Sequence, residues 1–204
     1  MLSATATQKR QKRRYRMVAR AEAAAATRAR LLASAWRHFS DRSYDTVRLA
    51  EVAEDAGVSV QTLHAHFGTK DALFVAAWAW RMAPEGERRD RAPVGDVATA
   101  VRVLYDSYDQ DGAAVLRLLA AEERIDALHD MAEAGRRWHR AWVERTFAPL
   151  LAGLTGAKRE RRIVHLVIAT DLLVWKLLRR EMGLDRKRAE QVVIGMITAS
   201  KGAP

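Results

Sequence analysis

Gln61, Thr62, His64 and Ala65 are the side chains of this sequence best suited to reading the edges of DNA bases. A glutamine amide donates and accepts together, which matches the N6/N7 edge of adenine, and an alanine methyl packs on the methyl of thymine. Ser59, Val60 and His66 surround them, giving a stretch of mixed hydrogen-bonding and small apolar groups. Arg48, Thr62, His66 and Lys70 offer the donors that hold phosphates, which set the register of a protein on a duplex without reading its sequence. Thr69 is a good N-cap. The free N–H groups of a helix opening at Lys70 then face an anion beside the lysine, and a DNA phosphate is the natural anion.

The spacing around these residues predicts what positions them. Leu49, Val52, Ala53 and Ala56 fall on one face at helical periodicity, and Leu63 and Phe67 fall on one face of a second helix. Gly57-Val58-Ser59 lies between the two as a tight turn, and the small residues Ala53, Ala56 and Gly57 allow a close crossing. This is the layout of a helix-turn-helix, whose second helix enters the major groove. An αα-corner in a small bundle without a DNA role has the same spacing.

A longer stretch resembles a known family. Ala29-Arg30-Leu31-Leu32-Ala33-Ser34-Ala35-Trp36, Phe39, Tyr44, Val52-Ala53, Ala56-Gly57-Val58-Ser59, Thr62-Leu63, His66-Phe67, Lys70 and Leu73 look like the TetR family of bacterial transcription regulators. The resemblance implies an all-α protein: an N-terminal three-helix DNA-binding domain, then a larger helical ligand-binding and dimerisation domain. Two positions depart from the family. His64 stands where a tyrosine commonly touches a phosphate, and Arg48 stands where Ser or Thr usually opens the second helix. Glu51 at the third helical position leaves half of a capping box.

The charge is unevenly placed. The 204 residues carry 35 Lys and Arg against 25 Asp and Glu, a net charge of +10. Residues 1–20 hold Lys9, Arg10, Lys12, Arg13, Arg14, Arg16 and Arg20 and no acid, whereas residues 21–80 are close to neutral. Residues 1–20 therefore read as a basic arm, with Lys12, Arg13 and Arg14 placed to follow phosphates or enter the minor groove. A solubilising tail, or a patch for RNA or a membrane surface, has the same composition. There is no cysteine, which removes disulfides, thiol nucleophiles and cysteine metal sites and suits a reducing cytoplasm. The N-terminus is basic with no apolar run after it, so no secretory signal is expected. Ile163 to Leu178, the most apolar later stretch, is cut by His165, Asp171 and Lys176 and is too polar for a membrane span.

Taken in order, the first long helix is expected from about Ala21, with Tyr15 to Arg20 as a possible extension, and Leu32, Ala35, Trp36 and Phe39 as its buried stripe. Tyr44 is expected in the core of the small domain. A fourth helix is expected from Lys70 to Met82, closing a domain of residues 21–82. Residues 83–94, with Pro84, Gly86 and Pro93, read as a linker or exposed loop. Residues 95–204 read as five helices, over 95–109, 112–122, 125–152, 158–182 and 186–200. In the third of these Leu128, Met131, Gly135, Trp138 and Trp142 share a face. Gly135 weakens a helix interior by about 1 kcal/mol relative to Ala, so it reads as space left for something. Tyr105, Tyr108, Met131, Trp138 and Trp142 are candidate ligand contacts, against ordinary core packing. Val164, Val167, Ile168, Leu172, Trp175 and Leu178, with Val192, Val193, Met196 and Ile197, either close the monomer's core or cover a second copy. The resemblance implies the latter, a homodimer through the last two helices with its DNA helices about 34–36 Å apart on a palindrome.

Catalytic chemistry is weakly represented. Asp126, His129 and Glu133 share a helix face but read as a solvated charged surface, as do Glu122, Glu123 and Arg124. His64 and His66 diverge on a helix, and no cofactor or metal is expected. The expected function is a cytoplasmic, non-enzymatic, sequence-specific regulator that binds double-stranded DNA. By the resemblance it is a repressor relieved by a small-molecule effector. The competing reading is a helical ligand-binding protein whose helix-turn-helix no longer binds specific DNA.

Overall fold

A computed structural model of the chain describes residues 2–199, with side chains from Tyr15 onward. Among these residues all regular structure is helical. The chain divides into two compact units, residues 1–80 and residues 81–204.

The N-terminal unit is built from α1 (Leu2–Asp41), α2 (Leu49–Asp55), α3 (Val60–Phe67) and the first part of α4 (Lys70–Arg89). Helix α1 starts well before Ala21 and already includes Tyr15 to Arg20. Nothing in residues 15–30 opposes a helix, and the alanine run from Ala23 to Ala26 favours one. Leu31, Leu32, Ala35 and Phe39 of α1 are buried with Val52, Ala53, Ala56, Leu63, Leu73, Phe74 and Ala77. Tyr44, in a 3₁₀ turn over Tyr44–Thr46, stacks on Phe39 and meets Phe74 edge-on. Trp36 and Trp78 lie 5.9 Å apart, tilted by 58°. Polar ties fix α1 to α2: Ser34 donates to the Val52 carbonyl and to Asp55, which also pairs with Arg37 at 2.6 Å.

The C-terminal unit contains the end of α4, then α5 (Val97–Leu119), α6 (Asp126–Thr146), α7 (Ala148–Leu151), α8 (Gly156–Ala169), α9 (Leu172–Lys176) and α10 (Arg186–Ala199). Three expectations need correction. First, α4 does not stop at Met82 but runs through Pro84 to Arg89, leaving a connection of only residues 90–96. Glu85 and Arg89 are buried as a pair instead of lying in an exposed loop, and their partners in this unit hold the extra turns helical. Second, α5 is a single helix, and Gly112 lies inside it because Trp175 and Leu172 approach its backbone. A Cβ there would stand 2.9 Å from Trp175 Cζ3. Third, the expected helix over 158–182 is broken at Thr170-Asp171. Asp171 caps α9 through the Leu173 N–H, and α9 passes into a π turn, Leu177–Glu181.

The core of this unit gathers Val101, Leu104, Tyr105, Tyr108, Trp142, Val143, Phe147, Ile163, Leu166, Trp175, Leu178, Val193 and Ile197. The apolar residues of the last helices therefore divide. Leu172, Trp175, Leu178, Val193 and Ile197 close this core, while Val164, Ile168, Val192 and Met196 remain exposed. None of the helices described is long and apolar enough to cross a membrane.

Candidate nucleic-acid interface

Helix α3 is held from below and capped at its start. Leu63 is fully buried, and Phe67 is partly buried with the Arg28 guanidinium 5.1 Å above its ring. Ser59, in extended conformation, accepts the Thr62 N–H at 3.1 Å, which satisfies one of the free donors of the first turn. The Ser59 and Thr62 hydroxyls also bond each other at 2.9 Å. Gly57, at φ 68, supplies the left-handed turn residue that lets α3 cross α2.

With α3 anchored in this way, Ser59, Val60, Gln61, His64 and Ala65 are exposed, while Thr62 and His66 are half-buried. Of the four side chains expected to reach bases, Gln61, His64 and Ala65 are exposed and Thr62 is not. The Thr62 hydroxyl is engaged with Ser59, so it is a less free donor than its position in the sequence suggests. His64 Nδ1 lies 2.7 Å from the Gly68 carbonyl.

The expected phosphate contacts are arranged unevenly. Arg48 is exposed at the N-cap of α2 and makes no side-chain capping bond. Glu51 is engaged by Arg42, whose guanidinium holds its carboxyl below the usual range, so the remaining half of the capping box serves an ion pair. At the start of α4 the Ala72 N–H donates to Thr69 Oγ1 at 3.1 Å, so Thr69 is the N-cap it was expected to be. Lys70 stands 4.4 Å from the centre of the Tyr44 ring, and burial lowers its pKa. Tyr44 in turn donates to Asp71. The sequence offered no sign of this aromatic seat for Lys70, because Tyr44 and Lys70 are far apart along the chain. Lys12, Arg13 and Arg14 lie outside the residues whose side chains are described.

The ligand candidates of the C-terminal unit do not form one lining. Tyr105 and Trp142 are almost fully buried, Tyr108 is buried, Met131 is half-buried and Trp138 is 39% exposed. Gly135 faces open surface, with nothing within 4 Å of a Cβ built there, so it leaves no gap among the aromatics. Instead, Tyr108, Trp138 and Trp142 surround the Arg89 guanidinium, with ring centres 5.8, 4.6 and 5.1 Å away. Glu85 accepts from Arg89 Nε at 2.7 Å and from the Ser107 hydroxyl at 2.6 Å. Arg89 Nη1 meets His139 Nδ1 at 2.9 Å, and His139 Nε2 meets Thr170 Oγ1 at 3.0 Å. Removal from water, reinforced by the Arg89 charge, pushes the His139 pKa down to about 3. Tyr105 is buried with its hydroxyl unpartnered among the described residues, and burial raises its pKa to about 12. Asp126 and His129 are exposed, and Glu133 pairs with Arg136 at 2.8 Å.

Residues 31–77 match the sequence profile described as "Bacterial regulatory proteins, tetR family". Over 175 residues the chain is 28% identical to the HTH-type transcriptional activator FasR of Mycolicibacterium smegmatis, covering 85% of this chain and 68% of that protein. Two solved structures share the fold. A transcriptional regulator of Rhodococcus sp. Rha1 superimposes with a TM-score of 0.67 at 19% identity, over 87% of this chain and 99% of that one. The multidrug binding protein EbrR, complexed with imidazole, gives 0.59 at 22% identity, over 83% of this chain and 89% of that one. The profile match falls on α1 to α4, where the anchored, capped α3 was found, so residues 31–77 are similar to the DNA-binding part of the TetR family, on a fold shared with solved transcriptional regulators.

Proposed function

We propose that this chain regulates transcription by binding a palindromic DNA operator as a homodimer, with α3 in the major groove. The observation that carries this reading is the presentation of α3: Leu63 and the Ser59 cap fix the helix, and Val60, Gln61, His64 and Ala65 stand exposed on it. Gln61, His64 and Ala65 meet base edges, while Arg48, Thr62, His66 and Lys70, with Lys12, Arg13 and Arg14 of the basic arm, hold the backbone. The dimer forms over the exposed apolar residues of α8 and α10, Val164, Ile168, Val192 and Met196. These are apolar groups that a second copy removes from water, at roughly 25 cal/mol per Å² buried. Two-fold symmetry then demands a palindrome.

A small molecule held in the C-terminal unit shifts the dimer between DNA-binding and non-binding states, to the extent that it prefers one of them. This part of the reading rests on the likeness of the fold to that of a multidrug binding protein, since Tyr108, Trp138 and Trp142 are taken up by Arg89. A repressor is the usual member of the family, whereas the relative at 28% identity is named an activator. The sign of regulation is therefore read from a promoter fusion carrying the recovered operator.

The test is selection of a randomised duplex library on the purified protein at near-physiological salt, with sedimentation of the protein alone. A palindrome and a dimer are the expected result. Binding without enrichment, or a monomer that binds a single half-site, sinks the reading.

A further inference from the structure

One hydrogen bond decides what His64 can offer to DNA. Its Nδ1 lies 2.7 Å from the Gly68 carbonyl oxygen. A carbonyl oxygen only accepts, so the proton of this bond is carried by Nδ1. The neutral ring is then fixed as one tautomer, with a lone pair and no proton on Nε2. The carbonyl is itself held in place. Gly68 ends α3 at φ 72, and its N–H returns to the His64 carbonyl at 2.8 Å, so the two residues clasp each other across the last turn. The ring nitrogens diverge, which turns Nε2 away from Gly68. The side chain is exposed one turn beyond Gln61 on the same helix.

A phosphate oxygen is an acceptor and gains nothing from a second lone pair. A neutral imidazole fixed in this tautomer has no ring N–H left to give it. In the major groove the donors available to a lone pair are the amino groups of adenine N6 and cytosine N4. We propose that His64 reads an amino group of one operator base through Nε2, and that the Gly68 carbonyl sets the ring state that makes this possible. Guanine O6 or thymine O4 at the same place opposes lone pair to lone pair, so the residue discriminates amino from keto bases on the strand it touches. This rests on α3 being the helix that enters the major groove.

The experiment couples a protein change to a DNA change. Duplex selection is run at pH 8, well above the ordinary histidine range, on the wild-type chain and on His64→Phe. The base pair whose enrichment falls in the variant is the one His64 touches. The exocyclic amine of that pair is then deleted, with purine replacing adenine or 2-pyrimidinone replacing cytosine. Affinity is measured for both proteins on both duplexes. The weakened base pairing of the altered duplex affects both proteins equally and cancels in the comparison. The expected result is a loss of about three- to tenfold for the wild-type chain on amine deletion, the scale of one hydrogen bond, and almost none for His64→Phe. Equal losses in the two proteins overturn the proposal. So does an unchanged wild-type motif in His64→Phe, which shows that His64 reads no base while α3 still reads DNA. Failure of the wild-type chain to enrich any motif overturns the DNA-reading of α3 along with it.

Discussion

Glu85 and Arg89 form an ion pair one helical turn apart, Oε1 to Nε at 2.7 Å, with only 8% and 6% of the two residues exposed. At that depth neither charge can be rehydrated when the other is removed. The three rings around the guanidinium and the Ser107 hydroxyl on the carboxylate complete the compensation.

Glu85→Ala is therefore expected to destabilise the C-terminal unit by about 3–5 kcal/mol, the usual consequence of leaving a buried charge alone. The double substitution Glu85→Leu/Arg89→Met removes both charges and is expected to cost less than Glu85→Ala by itself. Urea unfolding followed by tryptophan fluorescence measures both. A double variant less stable than Glu85→Ala would show that the cost does not come from leaving one charge of the pair alone.

His139 gives the unit a pH dependence of predictable sign. Its folded pKa, about 3, lies below the ordinary value, so the unfolded chain binds the extra proton. Its contribution is complete above about pH 6.5 and is lost as pH falls from there toward 3, at up to about 1.4 kcal/mol per unit. His139→Gln should flatten the stability curve between about pH 6.5 and 4.5. A variant curve parallel to the wild-type one over that interval would show that His139 does not titrate on unfolding.

Gly112 and Trp175 make a test of packing. Alanine ordinarily improves a helix by up to about 1 kcal/mol over glycine. Here its Cβ would meet Trp175 Cζ3 at 2.9 Å, on a ring anchored by its Nε1 donating to Asp109 at 2.9 Å. Gly112→Ala is expected to destabilise by about 1–2 kcal/mol, and Trp175→Phe in the same chain should relieve the clash and shrink that cost. Thermal unfolding decides; a stabilised Gly112→Ala would mean that the ring moves aside freely.

The helix cap and the base reader should separate in their effects. Ser59→Ala removes the bond to the Thr62 N–H and is expected to cost about 1 kcal/mol of stability. It should weaken binding to all sequences alike. Gln61→Ala touches an exposed side chain, so stability should stay within about 0.5 kcal/mol, while preference at one operator position falls by about 1–3 kcal/mol. Melting temperatures and competition binding on matched and mismatched duplexes distinguish the two.

How far these features could be read in advance depended on distance along the chain. The Thr69 cap, the Leu63 anchor and the turn at Gly57-Val58-Ser59 arise from contacts within a few residues or one helix crossing, and spacing alone anticipated them; that Ser59 also caps α3 was not anticipated. The course of α4 past Pro84 did not follow from spacing. Glu85 and Arg89 look like loop charges until it is known that they neutralise each other and that α5 and α6 supply Ser107 and His139. The two glycines make the same point. Gly135 was expected to leave a gap and faces open surface, whereas Gly112 sits under Trp175, a neighbour 63 positions later that no local pattern indicates. The outward half of α8 and α10 was visible as apolar excess, but which residues closed the core emerged only from the packing.

The six tryptophans are shared evenly between the units: Trp36, Trp78 and Trp80 in one, Trp138, Trp142 and Trp175 in the other. Trp36 and Trp78, 5.9 Å apart and tilted by 58°, are close enough for their electronic transitions to couple, and a tilted pair couples with a handedness. The DNA-binding unit thus carries a chiral optical signature of its own. Circular dichroism in the indole bands can follow that unit's folding within the intact chain.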